Sequence, residues 1–381
     1  MGSISYNGPE LVVSGNAGNI TYTMGAQEAL KATVTNSSGT YTFTLKAYND
    51  NTARTINLAE ILNALPLNIP SPARYDTSVL TYKPSVVTIA TMNGSTVTSS
   101  ISIQVIRGLV SDRFKSASDA KSALSLKPHS VRPQVRYTYA GMIENLSVMV
   151  PWGVLASPAA NTPTITYNAT IYLGSGRTIS VSWYTTLQAC DYRIVTTRVD
   201  LDTILDEHAT GPISEATRRM VTGWDVSVVI SEPSTSSHTL KTVRYILKDG
   251  KAKTTNFAFV NDFGGIDTIQ AVGSIKTVSS YSPSLFVNND YLETIKTNQE
   301  TEYEANTGPM DSAQEREAWL AFLRSPDKWI FEQSSSAFRR INLKDASPEL
   351  EHSELNDITF KFSMESEKGG AVPAYVALEQ M

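Results

Sequence analysis

Apolar and polar residues alternate with a period of two in several runs, and this alternation restricts the fold more than any other feature. The clearest run, residues 164–186, alternates on both sides of a Gly174-Ser175-Gly176 turn. Residues 40–48 repeat the pattern, with Tyr41 and Phe43 on the apolar face. Because successive side chains of a strand point to opposite faces, such runs predict half-buried β-strands joined by hairpins.

The composition favours the same class. Charged residues make up 18% of the chain, below the roughly 25% of an average soluble domain. The chain has 17 tyrosines, and aromatic and β-branched side chains fit a pleated sheet. We therefore predict a mainly β protein.

Helical patterns are short by comparison. They cover residues 58–65, 118–124, 213–220 and 311–325. In the longest, Asp311 is the predicted N-cap, with Gln314 three residues later as in a capping box. The fold class that follows is mainly β: two or three β-sandwich-like domains with a few short docking helices.

A chain of 381 residues is too long for one ordinary core, so it predicts more than one domain. We place boundaries near residues 125 and 255, with two larger domains split near residue 210 as the alternative. The boundaries at 125 and 255 give β-sandwich-like domains at 1–125 and 126–255 and a C-terminal α+β assembly domain at 256–381. A further hairpin is predicted at Asp249-Gly250, just before the second boundary.

Several classes of protein are disfavoured. The net charge of −5 comes from interspersed acids and bases, unlike the basic face of a nucleic-acid binder. No apolar run approaches 18 residues, so no membrane span is expected. The N-terminal residues lack a signal-peptide pattern, so we expect a protein that is synthesised in the cytoplasm and not exported by the usual signal. The lone Cys190 excludes an internal disulfide.

Catalytic and metal sites are weakly indicated. The densest polar cluster is RVDLDTILDEH, with Asp200, Asp202, Asp206, Glu207 and His208. A calcium loop needs a glycine at its sharp bend, which this stretch lacks, so a solvated strand-to-helix passage is favoured over a metal site. Cys190 beside His208 or His238 is more typical of a small buried residue than of a nucleophile. No carboxylate pair stands out for glycoside hydrolysis. We therefore predict no enzyme activity, no cofactor and no metal.

The stretch FVNDFGGIDT, residues 259–268, carries two adjacent glycines between apolar runs. It lacks the lysine and further glycines of a phosphate loop, and the residues after it have a strand pattern. We predict a tight structural turn formed by Asn261, Gly264, Gly265 and Asp267. Gly265 is the residue expected to hold a positive φ and to tolerate substitution least.

This stretch also resembles a segment of virion and tail-associated structural proteins from phages and prophages of gut bacteria. Two later stretches are similar to the same group: LAFLRSPDKWIFE, with Leu323, Ser325, Pro326 and Trp329, and DITFKFSME, with Asp357, Phe360 and Phe362. The resemblance covers roughly residues 240–365. It implies a virion protein that binds copies of itself and other virion proteins.

The expected function is therefore that of a structural component of a phage tail, baseplate or head–tail assembly. The alternative is a carbohydrate- or surface-binding adhesin whose partner is a glycan on the host surface, because tyrosines stack on sugars. Assembly requires an interface. We nominate the apolar cluster of the C-terminal region as its candidate, with filling of the domain core as the alternative: Trp319, Phe322, Leu323, Trp329 and Phe331.

Overall fold

The protein is described by a computed structural model, which covers residues 2–8, 11–45, 47, 50–72, 79–108, 130–150, 163–187, 193–231, 237–248, 254–273, 275–288, 291–310, 312–332, 336–346 and 357–365. Within these residues the protein is mainly β with a few short helices, as predicted. Five sheets surround three large hydrophobic clusters.

The first cluster lies between two sheets. The three-stranded sheet consists of β1 (Ser3–Tyr6), β3 (Asn19–Thr23) and β6 (Arg54–Asn57), in the order β1-β3-β6. The five-stranded sheet consists of β2 (Leu11–Val13), β4 (Glu28–Asn36), β5 (Gly39–Leu45), β8 (Ser85–Asn93) and β9 (Thr96–Ile106), in the order β2-β9-β8-β4-β5. Buried residues of both sheets and of helix α1 (Leu58–Ala64) form this sandwich core.

The second cluster also lies between two sheets. The larger one contains β10 (Val135–Thr138), β12 (Thr164–Leu173), β13 (Thr178–Thr186), β15 (Val221–Ser231) and β17 (Val243–Leu247), in the order β10-β17-β15-β12-β13, with β16 (His238–Thr239) beside β15. The smaller one contains β7 (Val79–Tyr82), β11 (Asn145–Val150) and β14 (Arg193–Arg198), in the order β11-β14-β7. A helical turn α2 (Leu201–Thr203) continues as a π-helix (Ile204–His208), and α3 (Glu215–Arg218) follows.

The third cluster lies between one sheet and one helix. The sheet contains β18 (Thr254–Val260), β19 (Ile266–Val272), β20 (Lys276–Asn288), β21 (Tyr291–Asn306), β22 (Lys328–Glu332), β23 (Ala337–Ala346) and β24 (Thr359–Met364), in the order β19-β18-β22-β23-β24-β21-β20. Helix α4 (Ala313–Arg324) packs its buried aromatic residues against this sheet.

The predicted hairpin of residues 164–186 is present. β12 and β13 pair antiparallel from Thr164↔Thr186 to Tyr172↔Thr178, and every second residue of β12 is buried. The strand predicted at 40–48 is also present, as β5. Because β5 lies at a sheet edge, Tyr41 and Phe43 remain 40% and 37% exposed, more than a half-buried strand implies.

The hairpin predicted at Asp249-Gly250 is wrong. These two residues lie outside the described part, but the strands on either side belong to different sheets. β17 pairs with β15 and β10, whereas β18 pairs with β19 and β22. Both edges of β18 are paired, one with β19 through the turn at 261–265 and the other with β22, so neither edge is free for β17.

Two further expectations change in detail. The N-cap of α4 is Ser312, whose Oγ accepts a hydrogen bond of 3.1 Å from the Glu315 N–H; the predicted cap, Asp311, lies outside the described residues. The helix predicted at 118–124 also lies outside them. The boundary near 125 falls there too, whereas residue 255 lies inside β18, so the change of sheet occurs between Leu247 and Thr254.

Candidate functional site

The turn between β18 and β19 is built around one asparagine. The backbone N–H of Asn261 donates to the Gly265 carbonyl at 2.8 Å, and the Gly264 N–H donates to the Asn261 carbonyl at 2.9 Å. The Asn261 Oδ1 accepts from the backbone N–H groups of Phe263 and Gly265 at 3.0 and 3.1 Å. The tight reversal predicted from the two glycines is therefore formed, and the asparagine satisfies its backbone donors.

The strained glycine of this turn is Gly264 and not Gly265, so that part of the prediction is wrong. Gly264 has φ +77°, whereas Gly265 is outside the positive-φ region. A Cβ at Gly264 would also collide with the Ile106 side chain and lie 2.8 Å from the Arg107 carbonyl oxygen. The turn therefore packs directly on the end of β9, where no side chain fits.

The side chain of Asp267 also stabilises the turn through hydrogen bonds. Its side chain is fully buried, and Oδ2 accepts from Asn261 Nδ2 at 3.0 Å and from the Val131 N–H at 2.8 Å. Oδ1 accepts from the Ser130 hydroxyl. That hydroxyl group in turn accepts from the Arg136 guanidinium at 2.7 Å. Asp267, a predicted turn residue, thus links the turn to the segment at residues 130–131, which is distant in the sequence.

A buried carboxylate continues this network. Glu144 is fully buried; its Oε2 lies 2.5 Å from Arg132 Nη1 and 3.1 Å from the Thr268 hydroxyl, and its Oε1 accepts from Gln270 Nε2 at 2.9 Å. Burial lowers the pKa of Arg132, and the attractions of Glu144, Tyr245 and Asp267 together with the Glu144 hydrogen bond outweigh it, so the net shift is upward. The ion pair joins the segment before β10 to the segment before β11, and Thr268 and Gln270 link Glu144 to β19.

A second ion-pair cluster connects the first and third regions. The buried carboxylate of Asp327 lies 2.5 Å from Arg107 Nε, and its other oxygen is bonded to Arg340. Next to Arg107, a Cβ at Gly108 would lie 2.7 Å from the carbonyl oxygen of Asp262. We refer to the contacts of residues 106–108, 130–145, 261–270 and 327 as the junction. It joins all three parts of the chain.

The aromatic cluster of the C-terminal region is core rather than surface, which corrects the interface hypothesis. Trp319 is 1% exposed, Phe322 is fully buried and Trp329 is 8% exposed. Phe257 of β18 meets the Phe322 ring edge-on, with centroids 5.5 Å apart. Leu323 and Phe331 are only half-buried, but they pack against buried residues. Trp319, Phe322 and Leu323 fill the space between α4 and the sheet, whereas Trp329 and Phe331 pack in the smaller cluster with Ala258 and Val260.

In the acidic stretch at 200–208, the three aspartates form ion pairs with arginine side chains. Asp200 accepts two bonds of 2.9 Å from Arg198 and caps α2 through the Thr203 N–H. Asp202 and Asp206 lie against Arg218, and burial raises the pKa of Asp202. Within the described part of the chain, no three His, Cys, Asp or Glu side chains come together as a metal site.

The candidate nucleophile, Cys190, lies outside the described residues, as do His129 and His352. His208 stacks on the Trp183 ring at a centroid distance of 4.6 Å, and burial lowers the pKa of its imidazole. This contact assigns His208 to the packing of the second cluster.

A groove of about 650 Å³ lies where β7 and β14 meet the five-stranded sheet. Its lining includes Asn36, Asn68, Lys83, Gln104 and Arg193. No local sequence pattern predicts this groove, because these residues come from five separate segments. Apolar lining is also present, so the groove offers both hydrogen-bonding groups and contact area.

Asn68 gives the groove its shape. Its Oδ1 accepts from the N–H and hydroxyl of Ser37 at 2.8 Å each, and its Nδ2 donates to the Lys83 carbonyl at 2.9 Å. Its backbone carbonyl accepts from the Tyr82 hydroxyl at 2.6 Å, and its N–H donates to Ser85 Oγ at 2.7 Å. Through these hydrogen bonds Asn68 holds the segments of Ser37 and of Tyr82 to Ser85 together.

Strands β20 and β21 form a long hairpin, which we call the arm. They pair from Lys276↔Glu304 to Asn288↔Tyr291, with one irregularity next to Ser284. β21 pairs with β24 only over Tyr303–Asn306. From residue 279 to 301, as far as the chain is described, the two strands pair only with each other.

The chain has no match among models of protein families or among curated proteins. Among the described residues, no helix is long and apolar enough to cross a membrane. Inferences about function therefore rest on the residues and contacts above.

Proposed function

We propose that this protein is a non-enzymatic structural component of a phage virion, in a tail, baseplate or head–tail assembly. It acts through protein–protein interfaces with its own copies and with other virion proteins. The observation that carries the proposal is the arm, because it leaves the seven-stranded sheet as a two-stranded hairpin.

The length of the arm supports this role. Ten residue pairs beyond the sheet correspond to about 30 Å, at a rise of about 3.3 Å per residue. A two-stranded hairpin alone is marginally stable in water, since neither of its faces is covered. A hairpin of this length is therefore most stable when it lies on another surface, and a neighbouring subunit supplies one.

The sequence of the arm has a polar stem and an outer part that contains apolar residues. Its stem, residues 279–284 and 296–301, is SSYSPS opposite KTNQET, which is mostly polar. Beyond the stem the apolar residues are Leu285, Phe286, Val287, Leu292 and Ile295, whereas the residues at the end itself, Asn288, Asn289 and Asp290, are polar. Apolar groups in the outer half of a polar arm favour contact with a partner, because burial there removes them from water.

The experiment compares the mass of the full chain with that of arm variants, by light scattering after size exclusion and by electron microscopy of particles. One variant deletes residues 280–300 and closes Ser279 to Thr301 with Asn-Gly, a favoured hairpin turn. A second carries Phe286→Ser. The control, Tyr184→Ser, makes the same change at a 73% exposed aromatic residue outside the arm.

We expect the wild type and Tyr184→Ser to form oligomers, and both arm variants to be folded monomers with an unchanged melting temperature. A wild type that stays monomeric at high concentration would refute assembly through copies of itself, and an oligomeric deletion variant would refute the role of the arm. Mass spectrometry of particles from a bacterium that encodes the chain tests the virion assignment directly.

A second candidate function is recognition of a glycan on a host surface. The groove favours it, because hydroxyl, amide and cationic side chains converge there around a cavity of ligand size. Both functions are compatible in one virion protein, since the groove and the arm involve different residues.

A further inference from the structure

We propose that the groove binds an anionic saccharide, one whose sugar rings carry carboxylate or phosphate groups. The inference rests on the second candidate function and deepens it by naming the ligand class and the residues. Assembly is not required for it, because every lining residue belongs to one copy of the chain.

The charge of the groove is the first argument. The chain as a whole has a net charge of −5, yet Lys83 and Arg193 line the groove, and among the described residues no Asp or Glu does. Neither cation has a carboxylate partner in the described part of the chain. An anionic ligand in the groove would supply a charged hydrogen-bond acceptor to both.

The neutral groups are the second argument. Gln104 lines the groove, and its side-chain amide makes no hydrogen bond within the described residues. Val86, on the neighbouring strand, is 42% exposed and offers an apolar surface beside these donors. Sugars present hydroxyl groups at their edges and C–H groups on their ring faces, so this combination suits them.

The same residues disfavour a nucleotide. The one aromatic side chain in the lining is Tyr82, whose hydroxyl is held by Asn68. Nucleotide sites rely on aromatic stacking of the base or on a glycine-rich loop for the phosphates, and the described residues of the lining include no glycine and no second aromatic side chain. The volume of about 650 Å³ falls within the roughly 300–1,000 Å³ typical of ligand pockets.

The test is isothermal titration calorimetry on the full chain with three probes. A galacturonic acid trisaccharide carries carboxylates, mannose 6-phosphate carries a phosphate, and a galactose trisaccharide is the neutral control. The variants are Arg193→Gln and Lys83→Gln, and the control is Lys241→Gln, which removes an exposed positive charge outside the groove. Circular dichroism checks that each variant is folded.

We expect at least one anionic probe to bind and the neutral trisaccharide to bind at least about tenfold more weakly, since charged hydrogen bonds account for that difference. Arg193→Gln should weaken binding at least about tenfold, Lys83→Gln less, and Lys241→Gln not at all. The better of the two anionic probes identifies the charged group. Lys83 is exposed, so Lys83→Gln tests the groove even if Arg193→Gln does not fold.

Three results would overturn the inference. If an anionic sugar binds equally well to both groove variants, the groove is not its site, although glycan recognition stands. If the neutral trisaccharide binds as tightly as the acidic one, the charge argument fails. If none of the probes binds, the inference fails regardless of the oligomer mass, so its failure is distinct from a failure of assembly.

Discussion

Gly264→Ala should destabilise the third region more than any other alanine substitution at a turn glycine. Two costs add at this position. An alanine at φ +77° costs about 1–2 kcal/mol, because its Cβ crowds the following carbonyl. The same Cβ would meet the buried, β-branched Ile106 and the backbone of Arg107. Overpacking of this kind costs typically about 1–3 kcal/mol, so the expected loss is about 2–5 kcal/mol.

Gly94 provides the matched control. It has φ +60° in the turn between β8 and β9, and a Cβ there meets nothing within 4 Å. Gly94→Ala should therefore lose only the backbone cost, about 1–2 kcal/mol. Gly265→Ala should lose less than Gly264→Ala, because Gly265 is not in the left-handed region.

The assay is urea unfolding followed by tryptophan fluorescence, because Trp319 and Trp329 lie in the third cluster and its neighbour. The reasoning would be refuted if Gly264→Ala lost no more free energy of unfolding than Gly94→Ala. A larger loss for Gly265→Ala than for Gly264→Ala would refute the assignment of the strained residue.

Three further predictions concern buried groups. Trp319→Ala should cost about 3–5 kcal/mol and unfold the third region in thermal melts, whereas Tyr184→Ala should change the melting temperature little. Burial lowers the pKa of Lys328 to about 8 from 10.5. Between these two pH values the unfolded chain binds a proton on Lys328 that the folded chain has released. The free energy of unfolding should therefore rise from pH 8 to 10.5, by about 3 kcal/mol. Lys328→Met should abolish that rise in urea titrations across this pH range. Glu144→Gln should leave Arg132 buried without its counter-ion and cost about 3–5 kcal/mol in the same assay, a result that an unchanged midpoint would contradict.

The features that the sequence predicts well are local. The alternation of residues 164–186 determines both strands and their turn, because the period of two and the glycines act within one hairpin. Helix α1, within the predicted range 58–65, and helix α3, within 213–220, are local in the same sense. The mainly β class follows from many such runs together.

The features that the sequence does not determine depend on distant partners. β17 and β18 follow one another in the chain, yet they enter different sheets because both edges of β18 pair with other strands, β19 and β22. Either glycine of the turn could hold the positive φ in isolation, and contact with Ile106 explains the intolerance of Gly264. Aromatic residues at helical spacing are compatible with a core and with an interface. The burial of Trp319 depends on the sheet against which α4 packs, and the local sequence does not show that sheet.

The buried charges of the junction bear on how the protein moves. Ion pairs such as Arg132–Glu144 and Arg107–Asp327 contribute little net stability, because desolvation offsets their attraction. Breaking one is costly, however, since it leaves a buried charge without a partner. A displacement of the turn at 261–265 from residues 106–108 or 130–131 would separate several of these contacts at once. We infer that the three regions move as one body.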